Sequence, residues 1–357
     1  MRQNMLRRII SILSMLFLVI GMLYPASQGQ AATKSLKVHY IDVGQSDCVL
    51  VQYGSKNMLI DAGDTDDTDR ILKYLKKQNI NELDYLILTH PHADHIGSAS
   101  DIIKKYPVGK IIMPKVEHTT KTYENLLKTI AKKNLKITKP EVGTTYKLGK
   151  ASFTIIAPNS YQYGSNLNNY SIGIKLTYQK NSFVFIGDSE IESIADIVSN
   201  GIDLTADVYM CGHHGSKTST NKKLLKAIKP KYAIISVGKN SYGHPNDSTL
   251  KLLSENKIKT YRTDKSGTIV VKSDGKNISI NAKPSTYKPG TSSNTTTENN
   301  SNNNSGTNSV INKTYVYITE TGSKYHIKGC RYLKNSMIKI TLTNAKKQGY
   351  DPCSVCN

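Results

Sequence analysis

Residues 35–282 predict an α/β fold in which sheets pack on one another and helices lie outside them. Three observations carry this prediction. Short β-branched or apolar runs bounded by Gly or Asp alternate with amphipathic helical runs; one strand is apolar almost throughout; and one stretch has the pattern of a hairpin. In chain order, "LKVHYIDV", "CVLVQYG" and "NMLIDAG" read as strands, and "TDRILKYLKK" as a helix with Ile71, Leu72, Tyr74 and Leu75 on one face. "LDYLILT" is the apolar strand, expected to be buried on both faces. A helix "SASDIIKKY", a strand "KIIMP" and a helix "YENLLKTIAKKN" follow. Next come the strands "ASFTIIAP" and "SIGIKLTYQKNSFVFIGD", the second a hairpin turning at Gln179–Asn181. Further α/β alternation runs from "IESIADIV" to "GTIVVKSDGKNISINA".

The flanks have different chemistry. Residues 1–32 carry a basic start (Arg2, Arg7, Arg8), an apolar run from Ile9 to Tyr24 and small residues up to Ala31 and Ala32, the layout of a secretory signal peptide. The apolar run is shorter than the ~20 residues a bilayer span prefers, which disfavours an uncleaved anchor. No cysteine lies near the cleavage region, against lipid attachment. A secreted or extracellular protein is expected, possible surface association included. Residues 283–312 are Ser/Thr/Asn-rich and too poor in apolar groups to offset their ordering entropy, so they predict a disordered linker. Residues 313–357 form a small unit opening on the strand-like "TYVYIT", near the size where a metal or a disulfide is needed.

With 48 Lys+Arg against 27 Asp+Glu, the formal charge is +21, and signal cleavage would remove three arginines and no acid to leave +18. The surplus biases the surface toward polyanions: nucleic acid, anionic wall polymer or lipid head groups. Charge alone selects none of them, since solvated lysine gives the same number.

The chemistry concentrates in "LTHPHADHIGS". His90 and His92 are two apart on extended backbone, so both imidazoles can point one way and share a cation. Asp94 and His95, in the following turn, can hold a second cation a few Å away, and Gly97 is expected to let the chain turn into the next helix. Imidazole with carboxylate suits Zn²⁺ and, with more oxygen, Mn²⁺.

"THPHADHIG" resembles the metal signature of the metallo-β-lactamase superfamily. Residues 36–282 resemble the hydrolase domain of the competence DNA-uptake channel (ComEC-type) and its free-standing secreted relatives. The matching stretches are "HYIDVGQSDCVLVQ", "NMLIDAG", "LTHPHADHIGS", "NNYSIGIKL", "FVFIGDSE", "CGHHGSKTST", "YGHP" and "YRTDKSGTI", in that order. The resemblance implies an αββα sandwich with a two-metal site at one edge, between the sheets. It implies that Asp188 bridges both metals and that one histidine of "GHHGS" is the last second-site ligand, His214 in preference to His213. It also implies that Asp42 and Asp61 orient metal histidines, with a strand-end turn as the other role open to each. The superfamily's third first-site histidine is missing here. The only histidine in the interval is His118, read as an exposed loop residue, and Asn168, Asn169 and Ser171 stand in the matching region. The competence-type branch resembles this pattern; a more open, oxygen-rich first site would favour Mn²⁺. Ser216, Lys217, Thr218 and Ser219, just past the metal ligand, could receive phosphate oxygens, and His244 of "YGHP" is a candidate electrophile or general acid, or else a turn residue.

"YHIKGC…PCSVC" supplies His326, Cys330, Cys353 and Cys356, two short-spaced pairs suited to a closed tetrahedral Zn²⁺ site. It resembles small zinc modules of the Ada type, with a histidine replacing one cysteine. The rival is a disulfide among the three cysteines. Cys48 and Cys211 lie in apolar strand-like runs and read as buried thiols.

Together these readings give a secreted hydrolase with two divalent ions (Zn or Mn) and one structural Zn. Phosphodiesters of DNA or other nucleic acid are the expected substrate, water attacking beside Asp94 and Asp188, with His244 or Ser216 and Thr218 on the leaving side. The alternatives are a wall teichoic-acid phosphodiesterase, a lactone or β-lactam hydrolase, and a non-catalytic surface module that binds DNA or wall polymer. The sequence does not set the oligomeric state.

Overall fold

The computed structural model describes residues 34–288, 315–319, 322–333, 337–347 and 350–356. The expected signal peptide and residues 289–312 of the expected linker lie outside the described residues.

The strands of the first sheet are β1 (Leu36–Tyr40), β2 (Val49–Tyr53), β3 (Lys56–Ile60), β4 (Leu83–Ile87), β5 (Val108–Ile112) and β6 (Ile137–Thr138). Those of the second are β7 (Thr145–Leu148), β8 (Ala151–Ala157), β9 (Gly173–Tyr178), β10 (Asn181–Phe185), β11 (Val208–Met210), β12 (Tyr232–Ile235) and β13 (Lys259–Arg262). The chain then returns to the first sheet with β14 (Ile269–Ser273) and β15 (Ile278–Ile280). The resulting orders are β15–β14–β1–β2–β3–β4–β5–β6 and β13–β12–β11–β10–β9–β8–β7. Strands β3 to β6 are parallel, as are β10 to β13. The remaining pairs are antiparallel, including the β9–β10 hairpin, where Tyr178 faces Asn181.

Period-two alternation explains why the two sheets meet. On β1, Leu36, Val38 and Tyr40 point into a core shared with Phe153, Leu176, Phe183 and Val208 of the second sheet, while Lys37 faces solvent. Burying a side chain such as Phe153 or Phe183 contributes about 1.5–3 kcal/mol. The outer faces are apolar too, so helices cover both. Over the first sheet lie α1 (Thr68–Lys77), the single turn α2 (Ala93–Ile96), α3 (Ala99–Lys105) and α4 (Lys121–Lys132). They pack Ile71, Leu75, Ile96, Ile102 and Leu126 on Leu50, Leu59 and Leu86. Over the second lie α5 (Ile191–Ser199), α6 (Lys222–Ile228) and α7 (Asp247–Glu255), which pack Ile194, Leu224 and Leu253 on Val184, Tyr209 and Ile235. The short α8 (Thr263–Ser266) leads into β14. This is the αββα sandwich of the metallo-β-lactamase fold.

A third sheet, within residues 315–352, contains β16 (Tyr315–Ile318), β17 (Lys324–His326), β18 (Ile338–Thr341) and β19 (Asp351–Pro352) in the order β18–β16–β17–β19. A short helix, α9 (Leu342–Lys347), accompanies it. Among the described residues no helix is long and apolar enough to cross a membrane.

Candidate metal centre

Parallel strands deliver polar residues at their carboxyl ends, where no further ladder partner is needed and loops open outward. Asp61 follows β3, Thr89 to His95 follow β4, Asp188 follows β10, and His213 and His214 follow β11. Strands of both sheets therefore converge on one edge.

The tightest grouping contains Asp94, His95, Asp188 and His214, whose ligand atoms lie within 4.8 Å of one another. His95 Nε2 faces Asp188 Oδ2 at 3.3 Å and Asp94 Oδ2 at 3.6 Å. His214 Nε2 is 3.3 Å from Asp94 Oδ2. His90, whose ring centroid is 4.1 Å from that of His95, has Nε2 3.8 Å from Asp188 Oδ2 and 3.0 Å from His92 Nδ1. His92 thus adjoins the cluster through His90. His213 Nε2 is 3.7 Å from the same Asp188 oxygen.

Each ring is fixed from behind. Buried Asp61 accepts from Thr89 N–H (2.7 Å) and, through Oδ2, from the Thr89 hydroxyl and His95 Nδ1–H, both at 2.8 Å. That bond places the proton on Nδ1 and turns the Nε2 lone pair to the carboxylates. His214 Nδ1–H donates to the Ser236 carbonyl at 3.0 Å and has Asp47 Oδ1 at 3.4 Å. Ser171 Oγ is 3.3 Å from His90 Nδ1 and accepts from Asp188 N–H at 3.0 Å. Three of these residues adopt left-handed backbone, Asp61 (φ 58°), His213 (φ 51°) and His214 (φ 54°), a conformation that costs a non-glycine residue about 1–3 kcal/mol and persists only where its surroundings hold it.

Electrostatics at the site call for positive charge. Burial opposes ionisation of Asp188, but His95 and His213 beside it outweigh burial and hold its carboxyl well below the usual range. Asp94 is lowered in the same way, with burial overcome by His95 and His214. Burial likewise works against charge on His95, yet Asp188, Asp94 and Asp61 raise it well above an ordinary histidine. His90, buried and beside His95 and His92, is held well below the histidine range. Asp188 Oδ1 is buried without a hydrogen-bond partner, and His95 Nε2 makes no aligned hydrogen bond to the oxygen it faces. A divalent cation would satisfy both atoms, so this donor set of imidazoles and carboxylates fits Zn²⁺ or Mn²⁺.

Several residues sit differently from the sequence reading. Gly97 has ordinary helical torsions (φ −53°), so it does not make a turn only glycine allows. It is needed because a Cβ there would meet the Asp64 carbonyl carbon at 2.2 Å, where α2 is pressed onto that loop. Asp42 accepts from Gly44 N–H and stays in a turn, while Asp47, five residues on, backs His214. His118 is half-buried, 5.8 Å ring to ring from His92, with Nδ1 2.9 Å from Thr120 Oγ1. The asparagines do not supply oxygen to the cluster. Asn168 donates to Glu190, and Asn169 donates to Glu192 and accepts from Glu190 N–H. Ser216 and Thr218 hydroxyls stand 3.0 Å apart and close a turn on each other, with Lys217 exposed between them. Among the described residues neither hydroxyl is hydrogen-bonded to a member of the ligand cluster. His244 lies 5.2 Å from His213 ring to ring. Burial, with charge on His213 and His214, lowers its pKa to about 3. Sequence reasoning missed Asp47 and Glu190. A buried acid before Cys48, and a second acid two residues after Asp188, were the available signals.

At the other end of the chain, His326, Cys330, Cys353 and Cys356 are all buried with ligand atoms within 4.8 Å of one another. His326 Nδ1 is 3.3 Å from Cys330 Sγ and 3.7 Å from Cys356 Sγ, and Ile327 N–H donates to Cys356 Sγ at 3.4 Å. All five cysteines are free thiols, and Cys48 and Cys211 are buried in the hydrolase sheets. The donor chemistry of the His/Cys₃ cluster fits one tetrahedral Zn²⁺.

Comparison with known proteins gives a consistent result. Residues 41–239 match the family model described as the metallo-beta-lactamase superfamily. ComE operon protein 3 of Bacillus subtilis is 31% identical over 252 residues, covering 65% of this chain and 32% of that protein. Recombination protein 2 of Haemophilus influenzae is 31% identical over 248 residues, covering 68% of this chain and 29% of that protein. The chain therefore spans about a third of the length of the curated relatives it matches. Among solved structures, the metallo-beta-lactamase fold protein YhfI of Bacillus subtilis superposes with a TM-score of 0.45 at 13% identity, over 67% of this chain and 99% of that one.

Proposed function

The chain belongs to the metallo-β-lactamase superfamily, and from that premise we propose that it is a secreted metal-dependent hydrolase of phosphodiesters, with DNA as the favoured substrate. The observation that carries this reading is the shared carboxylate. Asp188 Oδ2 lies 3.3 Å from His95 Nε2 and 3.8 Å from His90 Nε2, so one carboxylate oxygen is within reach of ligands from both expected cation positions. What such ions supply is Lewis-acid stabilisation of a phosphoryl group and of the attacking water. The protein's residues do the rest. His90, His92, Asp94, His95, Asp188 and His214 would hold the pair, and Asp61 and Asp47 hold the rings in register behind them. The Asp94 side chain is 32% exposed, so it can meet and orient a water at the mouth of the site. His244, neutral at working pH, offers an N–H to a phosphoryl or leaving oxygen and acts as the electrophile rather than as an imidazolium acid. Exposed Lys217 and half-buried Thr218 would contact the flanking phosphates, with the buried Ser216 hydroxyl bracing Thr218 behind them.

DNA is favoured over other phosphodiesters because the relatives are named for competence and recombination, and because the formal charge of +21 suits a polyanion. The N-terminal signal pattern supports export. The C-terminal cluster is read as one structural Zn²⁺ site.

The test uses residues 33–357 with Mn²⁺ or Zn²⁺ on plasmid, single-stranded DNA, bis-p-nitrophenyl phosphate, teichoic acid and nitrocefin, with and without chelator. Chelator-sensitive cleavage of DNA and the diester is expected, abolished by Asp188→Ala, with binding that weakens as salt rises. Turnover of teichoic acid alone or nitrocefin alone would replace the substrate. Salt-sensitive DNA binding with no turnover of any of these would make the chain a surface-binding module. Metal analysis of the same preparations should find one zinc that Cys353→Ser removes and Asp188→Ala leaves.

A further inference from the structure

The pattern of the sequence leaves the first cation site without its third histidine, and the structure offers a replacement from an unexpected direction. We infer that His213 is the third imidazole of that site and that Glu190 is its positioning residue; this rests on the two-metal reading proposed above.

Distance comes first. Two ligands of one cation, each bonded at about 2.1 Å and separated by a tetrahedral angle, stand about 3.4 Å apart. His213 Nε2 lies 3.7 Å from Asp188 Oδ2, and His90 Nε2 lies 3.8 Å from the same atom. Both nitrogens therefore stand at nearly the same distance from that oxygen, slightly wider than the loaded spacing. His95 and His214 are already engaged with Asp94 on the other ion's side.

The supporting contacts repeat the design of the other ligands. His95 has Asp61 behind Nδ1, His214 has the Ser236 carbonyl and Asp47, and His213 has Glu190 Oε1 at 3.2 Å. For His95 and His214 the acceptor draws the proton to Nδ1 and leaves Nε2 as the lone pair facing the acids; at His213 the Glu190 carboxylate stands close enough to do the same, without an aligned hydrogen bond in this arrangement. Glu190 is itself clamped. Asn166 Nδ2 donates to Oε2 at 3.1 Å, Asn168 Nδ2 to Oε1 at 3.2 Å, and Asn169 Oδ1 accepts from its backbone N–H at 3.0 Å. A glutamate held by two bonds to its carboxylate and one to its backbone, behind one ring, is costly to build for a merely solvent-facing histidine. The backbone agrees, because His213 takes left-handed torsions and donates N–H to the Gly187 carbonyl at 3.2 Å, which fixes it beside Asp188. The asparagines of the region where the superfamily keeps its third histidine thus serve the substitute at one remove.

The test is Mn²⁺ titration by calorimetry of residues 33–357 freed of metal at the sheet-edge site, with zinc kept at the C-terminal cluster and folding checked by circular dichroism. The wild type should take up two Mn²⁺ and His213→Ala one. Glu190→Gln should keep both ions but bind the first-site ion about 10–100-fold more weakly. Two Mn²⁺ in His213→Ala at wild-type affinity would overturn the inference. Should His213→Ala fail to fold, an unchanged affinity in Glu190→Gln overturns it instead. A wild type that binds no Mn²⁺ pair would overturn the two-metal reading together with this one, whereas loaded protein that cuts no DNA would sink only the substrate.

Discussion

Asp61→Asn is the perturbation that separates ligand orientation from ligand identity. Asparagine tolerates left-handed torsions, so the φ of 58° at this position adds no backbone confusion. Asp61 accepts three hydrogen bonds, from Thr89 N–H, the Thr89 hydroxyl and His95 Nδ1–H. An amide keeps at best two. With its oxygen in the Oδ2 position, its NH₂ meets the buried Thr89 N–H donor to donor, which costs about 1–3 kcal/mol. The two surviving bonds lose their charge assistance, and each falls from about 1.5–3 to about 1 kcal/mol. Removing a buried anion gives part of this back, since burial already pushes the Asp61 carboxyl up. The expected net loss is therefore about 2–4 kcal/mol in the metal-free protein, read by urea denaturation. Metal affinity should fall about 10–100-fold because the bond that holds His95 as the Nδ1–H tautomer loses its charge assistance, read by calorimetry. A variant that matches wild type within about 0.5 kcal/mol and also keeps its metal affinity would refute the reasoning.

Two further outcomes are expected. Burial, with Lys37 nearby, lowers the His39 pKa to about 4, below its value near 6.5 in the unfolded chain. The unfolded state then binds the extra proton between those values, so the His39 contribution is intact above pH 6.5 and is lost as pH falls to 4, by up to about 3 kcal/mol. His39→Gln should remove that part of the acid sensitivity in urea titrations at pH 7 and pH 4, and an unchanged difference would count against it. For Gly97→Ala, a Cβ 2.2 Å from the Asp64 carbonyl carbon and 2.4 Å from Thr65 N forces backbone apart, for a loss of about 1–3 kcal/mol or more. Because α2 carries Asp94 and His95, metal affinity should drop with it, and a fully stable, fully binding alanine variant would contradict the packing argument.

Legibility in the sequence follows the range of the interactions involved. "TDRILKYLKK" is α1 residue for residue, with Ile71 and Leu75 buried, because helical periodicity is local. The β9–β10 hairpin turns where expected for the same reason, with Gln179 at a left-handed φ of 53°. The edge between the sheets and the gathering of His90, His95, Asp188 and His214 could be expected through motif resemblance. Periodicity gives no hint of either. Asp47 escaped notice because its role depends on β2 and β12 lying on opposite sides of one crevice, where Asp47 meets His214 and Ser46 O accepts from Ser236. Glu190 was hidden likewise, since an acid opening a helix is the ordinary choice near a positive dipole end. Asp42 drew attention for ending a strand, and a strand end is equally a place for a turn. Gly97 was read from its residue type, whereas the reason for it is a neighbouring loop thirty-odd residues back.

The return of β14 to pair with β1 has a consequence for where this domain can be cut. Leu36 stands opposite Ser273, and β15 lies just beyond β14, so Val38 and Ile280 flank Val271 from either side. Two strand spacings separate β1 from β15, about 10 Å, and the chain then runs on to Ser285, which donates to the Thr260 carbonyl, and to Tyr287, which donates to Asp247 of α7. The first strand is thus held in the sheet from both sides, by β2 next in the chain and by β14 laid down far later. The domain is closed like a ring with a clasp, and the clasp sits on the β-edge far along the sheet from β5 and β6. A chain cut before Ile269 would leave β1 as an open edge strand with one side of its ladder unpaired.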